Sequence, residues 1–186
     1  MNALENWYCS TSFWRWMTRE RVLPFVLGHA DLGDHLLEIG SGPGAATPAL
    51  RQRAARVTSL EYNHAFAVRL SHNDGAHANE VVQGDAAALP FGDCTFSSAI
   101  AVLVLHHLRS PDQQDRAFAE IHRVLKPGGR FFAFEIEDGW FQRLIHTKST
   151  FVPVHPATLP ARLTAAGFTD IAQDRRPGGF RFHASR

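Results

Sequence analysis

Four short stretches of this sequence carry residues whose type and spacing suit chemistry. The first is Glu38-Ile39-Gly40-Ser41-Gly42-Pro43-Gly44. Closely spaced glycines after an apolar run let backbone approach a ligand, and a following helix points its unpaired N–H groups at the same place. The second is Glu61, whose carboxylate can accept two hydrogen bonds from a vicinal diol. The third is Gly84-Asp85-Ala86. There the Asp85 carboxylate can accept from the exocyclic amine of an adenine while the Ala86 N–H donates to a ring nitrogen. The fourth is the pair His106 and His107, whose imidazoles titrate near neutrality and so suit proton transfer. Glu135, Glu137 and Asp138 follow later in the chain, but no ligand spacing singles out a metal site and none is expected.

These residues need a frame that brings them to one edge. Residues 35–39 form a short apolar run and 45–54 an Ala-rich helical stretch. The unit recurs as strand 57–60, helix 63–72 and strand 80–83, and then as strand 97–103, helix 112–125 and strand 130–136 after the turn Lys126-Pro127-Gly128-Gly129. Strands alternating with helices imply right-handed crossovers and a parallel sheet covered on both faces. After residue 136 the pattern changes. Residues 156–166 read as a helix ended by Gly167, and 169–173 and 179–183 as two strands joined by Arg176-Pro177-Gly178, an antiparallel hairpin. The expected class is α/β, a Rossmann-like doubly wound, mostly parallel seven-stranded sheet with an antiparallel C-terminal hairpin. Glu38, Glu61 and Asp85 then fall at the C-terminal ends of three strands, the edge where open α/β sheets bind ligands.

With 186 residues the chain suits one well-buried domain. Within it, residues 1–30 read as an aromatic helical segment and 31–186 as the ligand-binding part. From Asn6 onward, Phe13, Trp16 and Met17 fall at one helical spacing and Trp7 and Trp14 at another. Core packing is the simpler reading of these aromatics and a lid over the site the sharper one. A composition 45% hydrophobic and 20% charged excludes disorder. A net charge of +1 offers no field for nucleic acid or anionic lipid, so neither nucleic acid nor a membrane is expected as a partner. The arginines gathered at the two ends read as a solvated rim. Cys9 and Cys94 have no disulfide or zinc spacing, and there is neither a leader pattern nor a spanning apolar run, which makes a cytoplasmic location the expectation. Nothing in the sequence sets an oligomeric state.

Taken together, the chain resembles the class I S-adenosylmethionine-dependent methyltransferases, and among them the small family similar to ubiquinone-biosynthesis methyltransferases. The matching motifs are Leu37-Glu38-Ile39-Gly40-Ser41-Gly42-Pro43-Gly44, Gly84-Asp85-Ala86 through Leu89-Pro90-Phe91, Leu103-Val104-Leu105-His106-His107-Leu108, and Glu120-Ile121-His122-Arg123-Val124-Leu125-Lys126-Pro127-Gly128-Gly129. The resemblance implies S-adenosylmethionine as cofactor, S-adenosylhomocysteine as product, and a small-molecule methyl acceptor; the aromatic N-terminus suggests that the acceptor is apolar or aromatic. It implies that Glu38 and Gly40 face the methionine end while Gly42 and Gly44 shape the loop. Glu61 would hold the ribose hydroxyls with Tyr62 against the adenine, Asp85 and Ala86 would read the adenine edge, and Val102 and Leu103 would close the other side. His106 and His107 are the candidate bases.

Two departures bear on the site. Phe96-Ser97 stands where many relatives have Phe-Asp, and residues 136–156 are few where relatives place a substrate-capping insertion. The acceptor pocket is therefore expected to be open, or closed by the aromatic N-terminus. Two other functions stay open at this level: a non-catalytic S-adenosylmethionine-binding module, and an NAD(P)-dependent oxidoreductase. Glycines at 40, 42 and 44 with Ala45 in the third place, the Gly84-Asp85-Ala86 element and the lack of a Tyr-x-x-x-Lys dyad weigh against the oxidoreductase.

Overall fold

The computed structural model describes residues 7–73, 80–147 and 149–186. The start of the expected N-terminal segment, residues 1–6, lies outside the described residues. Leu36 and Leu37, Ala99, Ile100 and Ala101, and Phe131, Phe132 and Ala133 are each at most 1% exposed. Consecutive residues buried to this degree require strands covered on both faces. The strands are β1 (His35–Ile39), β2 (Arg56–Glu61), β3 (Glu80–Gln83), β4 (Phe96–Val102), β5 (Leu125–Glu135), β6 (Thr169–Arg176) and β7 (Gly179–Ser185). They form one sheet in the order β3-β2-β1-β4-β5-β7-β6. The first five pair in parallel, whereas β7 is antiparallel to both β5 and β6. This is the expected mostly parallel sheet with its antiparallel hairpin. The strand order reverses between β1 and β4, which opens a crevice above the end of β1.

The helices are α1 (Ser12–Met17), a π-helical turn (Thr18–Val22), α2 (Leu23–Leu27), α3 (Thr47–Leu50), α4 (His64–Asn73), α5 (Pro111–Val124), α6 (Trp140–Ile145) and α7 (Leu159–Ala165). A 3₁₀ turn, Leu105–His107, follows β4. Alternation along the strands divides the core. Leu36, Ile100 and Phe132 pack with Leu23, Val26 and Leu27 of α2, and Leu37, Ala99 and Phe131 pack with Phe118 and Ile121 of α5 and Leu163 of α7. Helix α5 starts where Ser110 accepts from Gln113 N at 3.2 Å with Pro111 in its first turn, and its inward residues Gln114, Ala117, Phe118, Ile121 and Val124 follow the helical repeat. Among the described residues no helix is long and apolar enough to cross a membrane.

Four elements differ from expectation. The helix expected over 45–54 shortens to α3, because the glycine loop occupies its start and turns carry the chain on from Arg51 to Arg53. The turn at 126–129 is absorbed into β5 as a register shift between Phe96 and Ser98, with Gly128 at φ +74°. Helix α6, between residues 136 and 156, goes beyond expectation; it is only six residues long, and its apolar residues Trp140, Phe141 and Leu144 are exposed. The N-terminal aromatics are not core: Trp7, Tyr8, Phe13 and Trp16 are exposed, and Val22 to Leu27 supply the packing instead. Ser97, at the position of the missing aspartate, donates to Asp34, which also pairs with Lys126 Nζ at 3.0 Å.

Candidate active site

The loop after β1 is shaped by backbone geometry. Gly40, Gly42 and Gly44 all have positive φ, at +66°, +53° and +83°. At Gly40 a Cβ would stand 2.5 Å from Val104 Cγ2, whereas nothing lies within 4 Å of the corresponding point on Gly42. Gly40 thus serves close packing and Gly42 an open approach. Glu38, 4% exposed at the end of β1, accepts from Thr47 Oγ1 and Ser59 Oγ, both at 2.7 Å. Burial raises its carboxyl above the ordinary range, and the two hydroxyl donors oppose that rise.

Glu61, at the end of β2, clasps this loop. Its carboxylate accepts from Gly42 N and from Asn63 N, each at 2.7 Å. Burial pushes its carboxyl up against these backbone donors. Beyond it, Asp85 accepts from Ala87 N at 2.9 Å and from Gln113 Nε2 at 3.3 Å, and Ala86 is buried. Tyr62 is 63% exposed, and its hydroxyl accepts from Arg109 at 3.4 Å. Arg109 N in turn donates to Gln113 at 2.8 Å, so Tyr62, Arg109, Gln113 and Asp85 form one polar rim.

On the other side of the loop lies a cavity of about 730 Å³. Glu38, Gly40, Gly42, Val102, Leu103, His106 and His107 all line it, whereas Gly44, Glu61, Tyr62, Asp85 and Ala86 do not. The strand ends therefore divide into a cavity side and a rim side. Leu103, a non-glycine residue at φ +58°, turns the chain into this wall and donates its N–H to Phe134 O at 2.8 Å. The facing walls come from Trp7, Tyr8 and Trp14, from Phe141 and His146 at α6, and from Arg176-Pro177-Gly178 of the hairpin turn. Arg176 is thus more than solvated rim: its guanidinium lies 4.1 Å above the ring of Phe25.

The histidines sit on a buried carboxylate. His106 Nδ1 is 2.5 Å from Glu135 Oε2, with both side chains almost fully buried. The other Glu135 oxygen accepts from Val104 N at 3.0 Å and Leu105 N at 2.8 Å, which fixes the 3₁₀ turn against β5. His107 Nδ1 lies 3.2 Å from Thr150 O, and burial, followed by the neighbouring His106, lowers its pKa to about 3. Its imidazole is neutral at physiological pH.

Residues 37–133 match the methyltransferase domain family. The chain belongs to that family. A demethylmenaquinone methyltransferase of Thermobifida fusca is 36% identical over 55% of this chain, and the match spans 44% of that protein's own length. An uncharacterized methyltransferase of Synechocystis is 30% identical over 79% of this chain and 72% of its own. The Haemonchus contortus phosphoethanolamine N-methyltransferase 2, solved with S-adenosyl-L-methionine, has a TM-score of 0.75 at 15% identity, covering 91% of this chain and 52% of that one.

In this methyltransferase-family chain, sequence reasoning missed two contributors. Helix α6 brings His146 beside His106 and His107, with ring centroids 5.3 and 5.6 Å away. Thr18, in the π-helical turn, lines the cavity and carries a buried hydroxyl. A lone histidine just past a short helix and a threonine among charged residues carry no periodic signal that could have marked them.

Proposed function

We propose that the chain is an S-adenosylmethionine-dependent methyltransferase acting on a small, apolar or aromatic acceptor. The observation that carries this reading is a loop of three positive-φ glycines that forms one wall of a largely apolar cavity. The residues suit the cofactor. Gly42, on the cavity wall, has nothing within 4 Å of where a Cβ would stand, which leaves the backbone open to the cofactor, and Ser41 Oγ beside it is buried without a hydrogen-bond partner among the described residues. When bound, S-adenosylmethionine supplies a methyl group already activated on a sulfonium.

What remains for the protein is binding and alignment. Glu38 and Gly40 face the methionine end, and Gly42 and Gly44 hold the loop open. Glu61, its carboxylate within the loop, uses its remaining lone pairs for the ribose diol, and Tyr62 lies against the adenine. Asp85 and the Ala86 N–H read the adenine edge, while Val102 and Leu103 close the cavity side. The aromatic side chains on its walls suit an apolar acceptor, and the relative named for demethylmenaquinone supports a small-molecule acceptor. For a protic acceptor, His106, held in position by Glu135, takes the proton, whereas His107, whose pKa burial lowers to about 3, is too weak a base for that role.

Calorimetric titration with S-adenosylmethionine and S-adenosylhomocysteine, with NADH as control, tests the cofactor reading. Saturable binding is expected in the intact chain and should be lost in Gly42→Asp, whose carboxylate would enter next to Glu61 from a left-handed backbone, and weakened in Asp85→Ala. No binding, or a preference for NADH, rejects the reading. Release of S-adenosylhomocysteine with a panel of aromatic acceptors separates an enzyme from a binding module.

A further inference from the structure

His106, His107 and His146 meet on one wall of the cavity, one ring nitrogen from each lying within 4.8 Å of the others. In each ring Nδ1 faces an acceptor: Glu135 Oε2 at 2.5 Å for His106, Thr150 O at 3.2 Å for His107 and Gln142 O at 2.7 Å for His146. A carbonyl oxygen can only accept, so a proton sits on Nδ1 of His107 and of His146, and Nε2 is the ring nitrogen that a cation would take. The Glu135 carboxylate sets the same tautomer in His106. Histidines that ligate metals hold their second nitrogen in this way, on a carboxylate or a backbone carbonyl.

We infer that His106, His107 and His146 form a three-histidine site for a divalent first-row cation, zinc foremost. Three neutral imidazoles are a donor set that zinc accepts, and three protein ligands leave a fourth position open. Bonds of about 2.0–2.1 Å in a tetrahedron set the nitrogens about 3.3 Å apart, so the rings close by about 1.5 Å or less on binding. His146 reaches the pair from just beyond α6, where its buried ring stacks on Phe151 with centroids 4.5 Å apart. The open position faces the cavity, where it takes an oxygen or sulfur of the acceptor. A nitrogen bonded to a cation is no longer a base, so in the filled site coordination of the acceptor replaces proton transfer to His106. That use rests on the methyltransferase reading above; cation binding does not.

The test uses untagged, chelator-treated full chain titrated with Co²⁺ and Zn²⁺. One equivalent of Co²⁺ should bind with the visible absorption of a tetrahedral site and be displaced by Zn²⁺. Binding should weaken at least tenfold in His146→Ala and in His107→Ala, and about 10–100-fold in Glu135→Gln, which keeps the cavity but alters the support of His106. Circular dichroism identifies any variant that fails to fold, and Glu135→Gln and the cobalt spectrum of the unaltered chain stand without it. No stoichiometric binding, an octahedral spectrum, or equal affinity in all four proteins overturns the site. S-adenosylmethionine titrated into the same samples separates the two readings. Cofactor binding without metal rejects only the metal site, and metal binding without cofactor rejects only the methyltransferase reading.

Discussion

Glu38 is a carboxylate enclosed by the sheet with two hydroxyl donors on one oxygen, and this makes it a source of pH-dependent stability. Because its folded pKa lies above the ordinary 4.5, the folded chain binds this proton more tightly than the unfolded chain. Its contribution is complete below 4.5 and is lost as the pH rises through the folded pKa. Denaturant melts between pH 4 and pH 8 should therefore show a shallower decline in Glu38→Gln than in the parent; identical slopes would refute the assignment. A second residue-scale expectation concerns Gly40→Ala. A Cβ 2.5 Å from Val104 Cγ2 and a left-handed backbone together should lower stability by about 1–3 kcal/mol, read from the urea midpoint. The glycine loop was legible in the sequence because backbone conformation dictates residue type there. The pairing of His106 with Glu135 was not, since 29 residues separate them and only the register of β5 against β4 brings them together.

At the scale of elements, α5 carries two loads. Its inward face fills the core, so Phe118→Ala, at a site fully buried against Phe131, should cost about 3–5 kcal/mol in equilibrium unfolding. Its last turn staples the segment before β4. Arg123 donates to Glu120, to Asp93 and to the carbonyls of Phe91 and Leu89, while Glu120 accepts from Leu89 N. Arg123→Ala should loosen this segment by about 1–2 kcal/mol and speed hydrogen exchange at residues 89–95, leaving β1 unaffected. Unchanged exchange there would disprove the staple. The helix itself was readable from its cap and its repeat, and the strands from their buried runs. The π-helical turn and α6 were not, because at five and six residues neither is long enough to show a helical repeat.

At the scale of the molecule, the cavity is closed by segments distant in sequence: the N-terminal helices, the β1 loop, α6 and the hairpin turn at 176–178. A ligand held among them should tie them together. S-adenosylmethionine at a hundred times its dissociation constant is expected to add about 2.7 kcal/mol, a rise in Tm of about 5–10 °C for a chain of this size. Amide exchange over residues 12–27 should slow in the same sample; slowing confined to the β1 loop would show that the N-terminal helices take no part. The strand order was legible from alternation of strands and helices, whereas a cavity assembled from segments so far apart in sequence has no local signature. The strand order also sets how the chain behaves among its own copies. A sheet ends in unpaired backbone groups that invite another strand. One end here is β3, four residues long, and the other is β6, charged at Asp170, Asp174, Arg175 and Arg176 and broken by a register shift with Asp170 at φ +48°. Both borders are poor templates for growth, which guards a concentrated solution of the folded chain against fibrous aggregation.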